Sequence, residues 1–351
     1  MRRLADLVIH LPVPHTGADD VAGRLTGLRG PLRDHGVALV HGRRSDRTGD
    51  PVAYAHLLRD RSTFERRRTA TRPGGEQTVL VHDDGLLGPA APPDGPGGWY
   101  PQARTLVEPL VAALRPARTT LLLTVRRQDR WLERQHLDDV LRGSSDELDA
   151  WLSTLPSPVP DYAELAQRLS TTAGVSRLEV LPVEAAGDDP ARLARLVVGA
   201  AGAGLGAEAD DPVEPPPRSA CSPRGVAVAR ALNAELDDER ERRLVRRFVL
   251  DTFPAGIGDL DLFAPDVRRD LLTSCAEANR RLFARHQPAV DPAGYADEAS
   301  TAKIAALQPP GPSAPARVGP AARAFRQWDR VPSRWRRTPR VPSRGRARPA
   351  A

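Results

Sequence analysis

The sequence predicts an α/β fold with a parallel, doubly wound sheet of about five strands, a helical C-terminal part and a disordered basic tail. Three observations lead to this fold class. Short apolar runs alternate with segments of helical periodicity, which is typical of β-α-β units. The run Thr119–Val125 (TTLLLTV) is almost continuously apolar, as expected for a strand covered on both faces. The last 44 residues are rich in Arg and Pro and poor in apolar side chains.

The elements follow from the same signals in chain order. Leu7–Leu11 is an apolar run that stops at a proline, and Pro190 stands at the start of a helical segment. Gly74 and Gly75 precede the run Thr78–Val81, and Asp83, Asp84 and Gly85 follow it. The predicted strands are Leu7–Leu11, Val37–Val40, Thr78–Val81, Thr119–Val125 and Leu178–Leu181. The predicted helices are Val21–Leu32, Ala53–Arg68, Ala103–Leu114, Arg130–Leu141, Asp146–Leu152, Tyr162–Leu169 and Pro190–Val198.

The pattern changes after Val198, where an Ala/Gly run and the Pro-rich segment DDPVEPPPRS precede three helical segments. These are Arg224–Glu235, Asp238–Asp251 and Ala264–His286, and we interpret residues 220–288 as a helical part of the same domain. We therefore predict one α/β domain over residues 1–305. We expect residues 306–351 to form a disordered tail, because they cannot bury enough apolar surface to offset the entropy of ordering.

The excess positive charge of the chain lies in that tail. The net charge is +6, but residues 308–351 hold 11 arginines and a single acid, which leaves the rest of the chain at −4. A uniformly basic globule is thereby excluded. With Trp328 and Trp335 interleaved, the tail is suited to weak, non-specific contact with nucleic acid or an anionic surface. A solubilising tether is the alternative.

The numbers and positions of cysteines, histidines and apolar residues argue against a disulfide-rich, membrane-spanning, secreted or metal-binding protein. Cys221 and Cys275 are too few for a disulfide framework, so we expect reduced thiols in a cytoplasmic protein. No apolar stretch approaches the length of a transmembrane segment, and Met1–Leu11 lacks the apolar core of a signal peptide. The eight histidines include no HxxxH pair, and no metal site is predicted.

The first segment that could carry chemistry is HLPVPHTGADDV, His10–Val21, directly after the first predicted strand. A strand, a short glycine-containing loop and a helix N-terminus together form a phosphate cradle, because free amide groups and the helix dipole face the anion. The alternative is a simple strand-to-helix turn in which Asp19 or Asp20 caps the helix.

This loop resembles the phosphate loop of the sulfotransferase family, in particular the actinobacterial sulfotransferase-like proteins. The resemblance implies a P-loop-type fold and binding of the 5′-phosphosulfate of 3′-phosphoadenosine 5′-phosphosulfate. Thr16 and Gly17 match the family pattern. His15 stands where the family has lysine, and Ala18 and Asp19 stand where it has small hydroxyl residues.

A second match lies in TVRRQDRWLERQHLDDVLRG, Thr124–Gly143, after the strongest strand signal. In the family, an arginine at this strand end and a serine eight residues later bind the 3′-phosphate. The resemblance places Arg126 at the first position and Arg134 at the second, where a guanidinium group can still pair with phosphate. The alternative is a solvated basic helix face with Asp129 as N-cap and Trp131 as packing anchor.

A third match follows the strand TVLV, where the chain reads His82, Asp83, Asp84, Gly85. The family has a carboxylate here that removes the proton of the acceptor hydroxyl, and the resemblance implies this role for Asp84. His82 is a second titratable group nearby. A general base is needed because a neutral alcohol is a poor nucleophile. An acidic turn at a strand end is the alternative.

The resemblance covers about residues 5–288 and implies transfer of a sulfuryl group to a hydroxyl of a sugar, lipid or small metabolite. Two other functions stay open. One is a non-catalytic relative that binds another anionic ligand or a protein partner. The other is a nucleic-acid-associated protein that acts through its tail.

Overall fold

The computed structural model describes residues 4–42, 50–69, 77–90, 98–155, 159–187, 189–204, 221–254 and 262–286, together with Phe325. Its centre is a sheet of five strands, all parallel, so the predicted α/β class and parallel sheet are confirmed. The strands are β1 Leu4–Pro12, β2 Val37–His41, β3 Gln77–His82, β4 Arg118–Val125 and β5 Arg177–Pro182.

The strand order is β2-β3-β1-β4-β5, which places β1 at the centre of the sheet. On β1, His10 lies opposite His82 of β3, and Pro12 lies opposite Thr124 of β4. Because all strands are parallel, the loops that follow them leave from one edge of the sheet. This register brings the three sequence segments with candidate site residues to that edge.

Eleven α-helices connect the strands or follow them in the described part of the chain. They are α1 Ala18–Gly27, α2 Arg29–Asp34, α3 Pro51–Arg67, α4 Ala103–Leu114, α5 Gln128–Leu141, α6 Leu148–Ser153, α7 Tyr162–Ser170, α8 Pro190–Ala200, α9 Pro223–Glu235, α10 Glu239–Thr252 and α11 Pro265–Arg285.

The helices cover the sheet on both faces. On one face, α1, α2 and α8 pack onto alternate residues of all five strands, such as Val8, Leu80 and Leu122, in one continuous apolar cluster. On the opposite face α3 contacts α4, and α7 contacts α4, β4 and β5. The strand residues that alternate with these point to the opposite face and are fully buried as well, for example Ile9 and Leu121. The sheet is therefore doubly wound, as the apolar strand runs predicted.

Local chemistry accounts for the helix boundaries. Asp50 caps α3 by accepting a hydrogen bond from the Val52 amide, and Asp189 caps α8 in the same way before Pro190. The helix predicted over Val21–Leu32 is divided into α1 and α2. Pro31 has no amide hydrogen to donate to the carbonyl of Gly27, so the hydrogen-bond ladder is interrupted there.

The described chain divides into two compact units. The first comprises residues 1–135, 149–217 and 262–309 and contains the sheet. The second comprises residues 136–148, 218–261 and 310–351 and contains α9 and α10, which pack on each other. In the second unit, Phe248 contacts Phe253 and Phe325 in edge-to-face geometry.

The predicted boundary between domain and tail, residues 305 and 306, lies outside the described residues, as does the tail apart from the buried Phe325. Among the helices of the described ranges, none combines the length and the hydrophobicity that crossing a bilayer requires.

Candidate functional site

The loops after β1 and β2 are each hydrogen-bonded to a neighbouring strand at the carboxyl edge of the sheet. The Val13 amide donates to the Thr124 carbonyl at 2.9 Å, and the Gly42 amide donates to the His82 carbonyl at 3.0 Å. These bonds continue the sheet pairing one residue past the strands. The side chains that follow β1, β2, β3 and β4 therefore have fixed positions relative to one another.

A cavity of about 690 Å³ opens at this edge, between α1, β2 and α3. Its size suits a small-molecule ligand. Leu39, Leu57 and Phe64 supply apolar surface, and the Phe64 ring is 56% exposed. The titratable groups that line it at the strand ends are Asp19, His41, His82 and Asp84.

A chain of buried polar side chains runs from this cavity into the sheet. Nδ1 of His82 lies 2.7 Å from Nδ1 of His10, and Nε2 of His10 lies 2.7 Å from Oγ1 of Thr124. His10 and Thr124 are fully buried, and His82 is 4% exposed. Within the described ranges, no three His, Cys, Asp or Glu side chains form a group that could hold a metal ion.

The surroundings of the two histidines favour their neutral forms. Burial lowers the pKa of His10 well below 6.5, and the charge of His82 lowers it further. Burial also lowers the pKa of His82, although Asp83, Asp84, the Ala18 backbone and Asp19 act in the opposite direction. His82 is thus the member of the pair whose protonated form has nearby groups to stabilise it.

Asp83 and Asp84 are adjacent in sequence but occupy different environments. Asp83 is 1% exposed, accepts a hydrogen bond from the Tyr54 hydroxyl and accepts another from the Gly85 amide at 2.8 Å. Asp84 is exposed and lines the cavity. Asp83 therefore holds the loop in place, and Asp84 is the carboxylate that a ligand in the cavity can reach.

The loop before α1 contains the predicted phosphate-binding residues. Gly17 is the N-cap of α1 in the left-handed conformation, with φ of 79°, and His15 also has a positive φ of 68°. The Thr16 hydroxyl donates to the Val13 carbonyl at 2.6 Å, and Nε2 of His15 lies 3.0 Å from Oε1 of Gln135. Ala18 lines the cavity as the first residue of the helix.

The helix is not capped by an aspartate, so the predicted cap by Asp19 or Asp20 is wrong. Asp19 and Asp20 lie in the first turn of α1, and no side chain accepts a cap hydrogen bond there. Burial and the charge of Asp19 raise the pKa of Asp20. Two carboxylates at this position offset the positive end of the helix dipole, which weakens its attraction for an anion.

The second predicted segment forms the junction of β4 and α5. Arg126 follows β4 and is 7% exposed, and Arg134 lies half-buried on α5. Arg127 binds Asp129 through two hydrogen bonds, of 2.7 and 2.9 Å. Asp129 is in the first turn of α5, which begins at Gln128, so its assignment as N-cap is wrong. Four charged residues of this segment are buried, so it is not a solvated helix face.

Trp131 is the packing anchor that the alternative reading proposed. It is fully buried, and its ring meets Trp99 edge-on at a centroid distance of 4.9 Å. The aromatic pair fixes α5 from within the protein, while the charged groups of the same helix pair with one another.

The structure brings only some of the predicted site residues together. Ala18, Asp19 and Asp84 line the cavity. His15, Thr16, Gly17, Arg126 and Arg134 are not among its lining residues, and their predicted contacts with phosphate stay predictions.

Sequence reasoning missed His10, His41 and Thr124 as members of the site. A usable signal existed for the two histidines, since His41 directly follows an apolar run, as His82 does, and His10 is the one polar residue inside the run Leu7–Leu11.

Comparisons with protein-family models, with curated proteins and with solved structures found no match for this chain.

Proposed function

We propose that this chain is a sulfotransferase-like enzyme whose hydroxyl acceptor binds in the cavity between α1, β2 and α3. One observation carries the proposal: Asp84 and His82 line a cavity at the sheet edge from which the β1–α1 loop and Arg126 also depart. In open α/β sheets, ligands bind outside the carboxyl ends of the strands, where the connections diverge. The central position of β1 puts that point beside its loop.

The fit to 3′-phosphoadenosine 5′-phosphosulfate is supported by the backbone of the loop more than by its side chains. A Cβ at Gly17 would meet no atom within 4 Å, so space exists over the helix N-terminus. The left-handed backbone at His15 and Gly17 is a conformation that functional loops often retain. Arg126, with Arg134 further along α5, would supply the positive charge for the 3′-phosphate.

The chain's own groups would act on the acceptor. The apolar wall formed by Leu57 and Phe64 holds the body of an alcohol, and the polar end of the cavity receives its hydroxyl group. Asp84 lines the cavity, and we assign to it the removal of the hydroxyl proton or the stabilisation of its removal by His82. Both roles require the same loop, which Asp83 and Tyr54 hold in position.

The proposal is tested by incubating the full-length protein with sulfur-labelled donor and a mixture of sugars, glycolipids and small phenols. We expect label in at least one acceptor, and a decrease of about tenfold or more for Asp84→Asn. Asp270→Asn, an exposed aspartate on α11, is the matched control and should transfer at the wild-type rate. Absence of labelled product from every acceptor class would contradict the proposal.

A non-catalytic relative is the second candidate, and two observations favour it. The Thr16 hydroxyl is engaged with the Val13 carbonyl, and Asp19 places a carboxylate at the helix N-terminus where an anion would bind. At about 4 Å, two like charges repel by roughly 4 kcal/mol at an effective dielectric constant of 20. If Asp19→Ser creates nucleotide binding that the wild type lacks, the second candidate is correct.

A further inference from the structure

Four exposed arginines lie along one side of α10, in the second compact unit. They are Arg240, Arg243, Arg246 and Arg247. With about 3.6 residues per turn, these positions fall within about 120° of the helix circumference. The buried residues of α10, Val245, Phe248 and Val249, lie on the opposite side. The apolar side of α10 is therefore used inside the unit, and the other side presents guanidinium groups to solvent.

Two of these arginines form ion pairs at the surface of the same helix. Nη2 of Arg243 lies 2.9 Å from Oε1 of Glu239, and Nε of Arg247 lies 3.9 Å from Oδ2 of Asp251. The other two arginines form no ion pair with any of the described residues. Surface pairs of this kind contribute little to stability, so a phosphate group can displace the carboxylates. All four guanidinium groups are therefore accessible to an anionic partner.

Phe325 connects this helix to the Arg-rich end of the chain. Its ring is buried and meets the Phe248 ring edge-on, with 5.5 Å between the centroids. Phe248 also meets Phe253, at 6.2 Å, and Cζ of Arg224 lies 5.8 Å from the centroid of the Phe253 ring. All of these residues belong to the second unit. The segment after Phe325 is therefore covalently continuous with a residue that packs against α10.

Residues 326–351 carry most of the excess positive charge of the chain. They contain nine arginines and a single acid, Asp329, together with Trp328 and Trp335. Guanidinium groups pair with phosphate oxygens through parallel hydrogen bonds. Tryptophan rings stack on nucleic acid bases, and the bases of a single strand are open to this contact. The composition of the segment therefore suits both parts of a single-stranded nucleic acid.

We propose that the arginine side of α10 and residues 326–351 form one binding surface for single-stranded nucleic acid. The arginines contact phosphates, and Trp328 and Trp335 stack on bases. The surface binds without sequence preference, since every nucleotide has a phosphate and every base has a ring face. The inference does not depend on the proposed function, because it uses no residue of the cavity or of the phosphate loop.

The exposed side of α10 favours a nucleic acid over a lipid bilayer. A helix that lies in a bilayer surface needs an exposed apolar face to insert between the lipids. In α10, Val245, Phe248 and Val249 are buried within the unit instead. The exposed side offers charge alone, which suits a polymer of phosphates.

The role of α10 is tested by fluorescence anisotropy. A labelled single strand of about 20 nucleotides, longer than typical single-strand sites, is titrated with the full-length protein at several salt concentrations. We expect micromolar affinity that falls steeply as salt increases. The variant Arg240→Gln/Arg243→Gln/Arg246→Gln/Arg247→Gln should bind at least about tenfold more weakly. Its slope of log affinity against log salt should be shallower by up to about 3, since each lost phosphate contact removes about 0.7.

The matched control removes the same number of exposed arginines from α11, in Arg269→Gln/Arg280→Gln/Arg281→Gln/Arg285→Gln. The two variants have the same net charge, so an effect of overall charge appears equally in both. We expect the control to keep the wild-type affinity and salt slope. Equal losses for the two variants would overturn the assignment of α10 to the surface.

Stacking is tested with Trp328→Leu/Trp335→Leu. The double variant should bind the single strand at least about fivefold more weakly and bind a duplex of the same length as the wild type does. Equal losses on the two probes, or no loss on either, would contradict the stacking role.

The connection through Phe325 is tested with Phe325→Ala, which removes the ring that packs on Phe248. If the helix and the segment bind as one surface, this variant should bind the strand about fivefold or more weakly, and Phe325→Leu should recover most of the loss. The four α10 substitutions should then cost less affinity in the Phe325→Ala background than in the wild type. Equal costs in the two backgrounds would show that the two parts bind separately.

Vesicles of phosphatidylserine and phosphatidylcholine represent the alternative partner. Tighter binding to these vesicles than to the single strand would overturn the proposal and assign the surface to membranes. No binding to the strand at low salt would also overturn it and leave residues 326–351 as a solubilising tether. Neither result bears on sulfuryl transfer, which is measured separately with the labelled donor.

Discussion

Arg268 of α11 lies fully buried against Asp129 of α5, with Nη1 3.2 Å from Oδ2. Its Nη2 lies 2.6 Å from Oε1 of Glu133, and the same oxygen accepts the Leu262 amide at 2.7 Å. Although burial opposes its charge, hydrogen bonding to Arg127 and the charges of Arg127, Arg268 and Arg130 lower the pKa of Asp129. Burial dominates at Glu133 and raises its pKa.

This network predicts a large effect of Arg268→Met on stability. The substitution leaves two buried carboxylates without their shared cation, and we expect the free energy of unfolding to fall by about 3 to 5 kcal/mol. Denaturant unfolding measures the loss. Arg280→Met, whose arginine forms an exposed pair with Glu277, should cost less than about 1 kcal/mol. Equal losses for the two variants would refute the assignment of Arg268 as a core ion-pair residue.

Gly42 is predicted to be intolerant of a side chain. A Cβ there would overlap the Asp83 carboxylate and the Tyr54 hydroxyl, which are hydrogen-bonded to each other. We expect Gly42→Ala to destabilise the protein by about 1 to 3 kcal/mol, because both groups must move.

Gly23→Ala is the comparison for that variant. Gly23 lies inside α1, where a Cβ would meet no atom within 4 Å, so alanine should stabilise the protein by about 0.5 to 1 kcal/mol. Thermal unfolding of the two variants should therefore shift in opposite directions. A stabilised Gly42→Ala would show that the loop after β2 does not make the described contacts.

Acidification should destabilise the fold through its buried histidines. Burial lowers the folded-state pKa of His10, His82, His136 and His286 below 6.5. The unfolded chain therefore binds more protons than the folded chain as the pH falls below 6.5, and the free energy of unfolding decreases. Each histidine contributes a slope of at most about 1.4 kcal/mol per pH unit.

The double variant His10→Gln/His82→Gln separates the pair from the other histidines. Its unfolding free energy should depend less steeply on pH than that of the wild type between about pH 6.5 and pH 5. A double variant with an unchanged slope would mean that neither histidine of the pair is held neutral by the fold.

The spacing of apolar residues was sufficient to predict the five strands and most helices. A strand that is buried on both faces is an almost continuous apolar run in the sequence. Thr119–Val125 lies within β4, and Leu7–Leu11 lies within β1. The division between α1 and α2 was missed although Pro31 was visible. The spacing of apolar residues continues from α1 into α2 without a break. The hydrogen bond that Pro31 cannot donate has no effect on that spacing.

The candidate site was less predictable, because its residues are far apart in the sequence and become neighbours only when the strands pair in the observed order. His10 and His82 are 72 positions apart and become neighbours because β1 pairs with β3. Arg268 gave no signal, as one arginine on a helix with several others does not show which of them is buried. The different environments of Asp83 and Asp84 depend on Tyr54 of α3, another contact between distant segments.

A sulfotransferase of the kind that we propose must bind the nucleotide product of sulfuryl transfer at the loops after β1 and β4. Calorimetric titration of the full-length protein with 3′-phosphoadenosine 5′-phosphate measures that binding. We predict micromolar affinity, a loss of about tenfold or more for Arg126→Ala, and no change for Arg104→Ala, an exposed arginine on α4. No heat of binding to the wild type at millimolar nucleotide would contradict the proposed function.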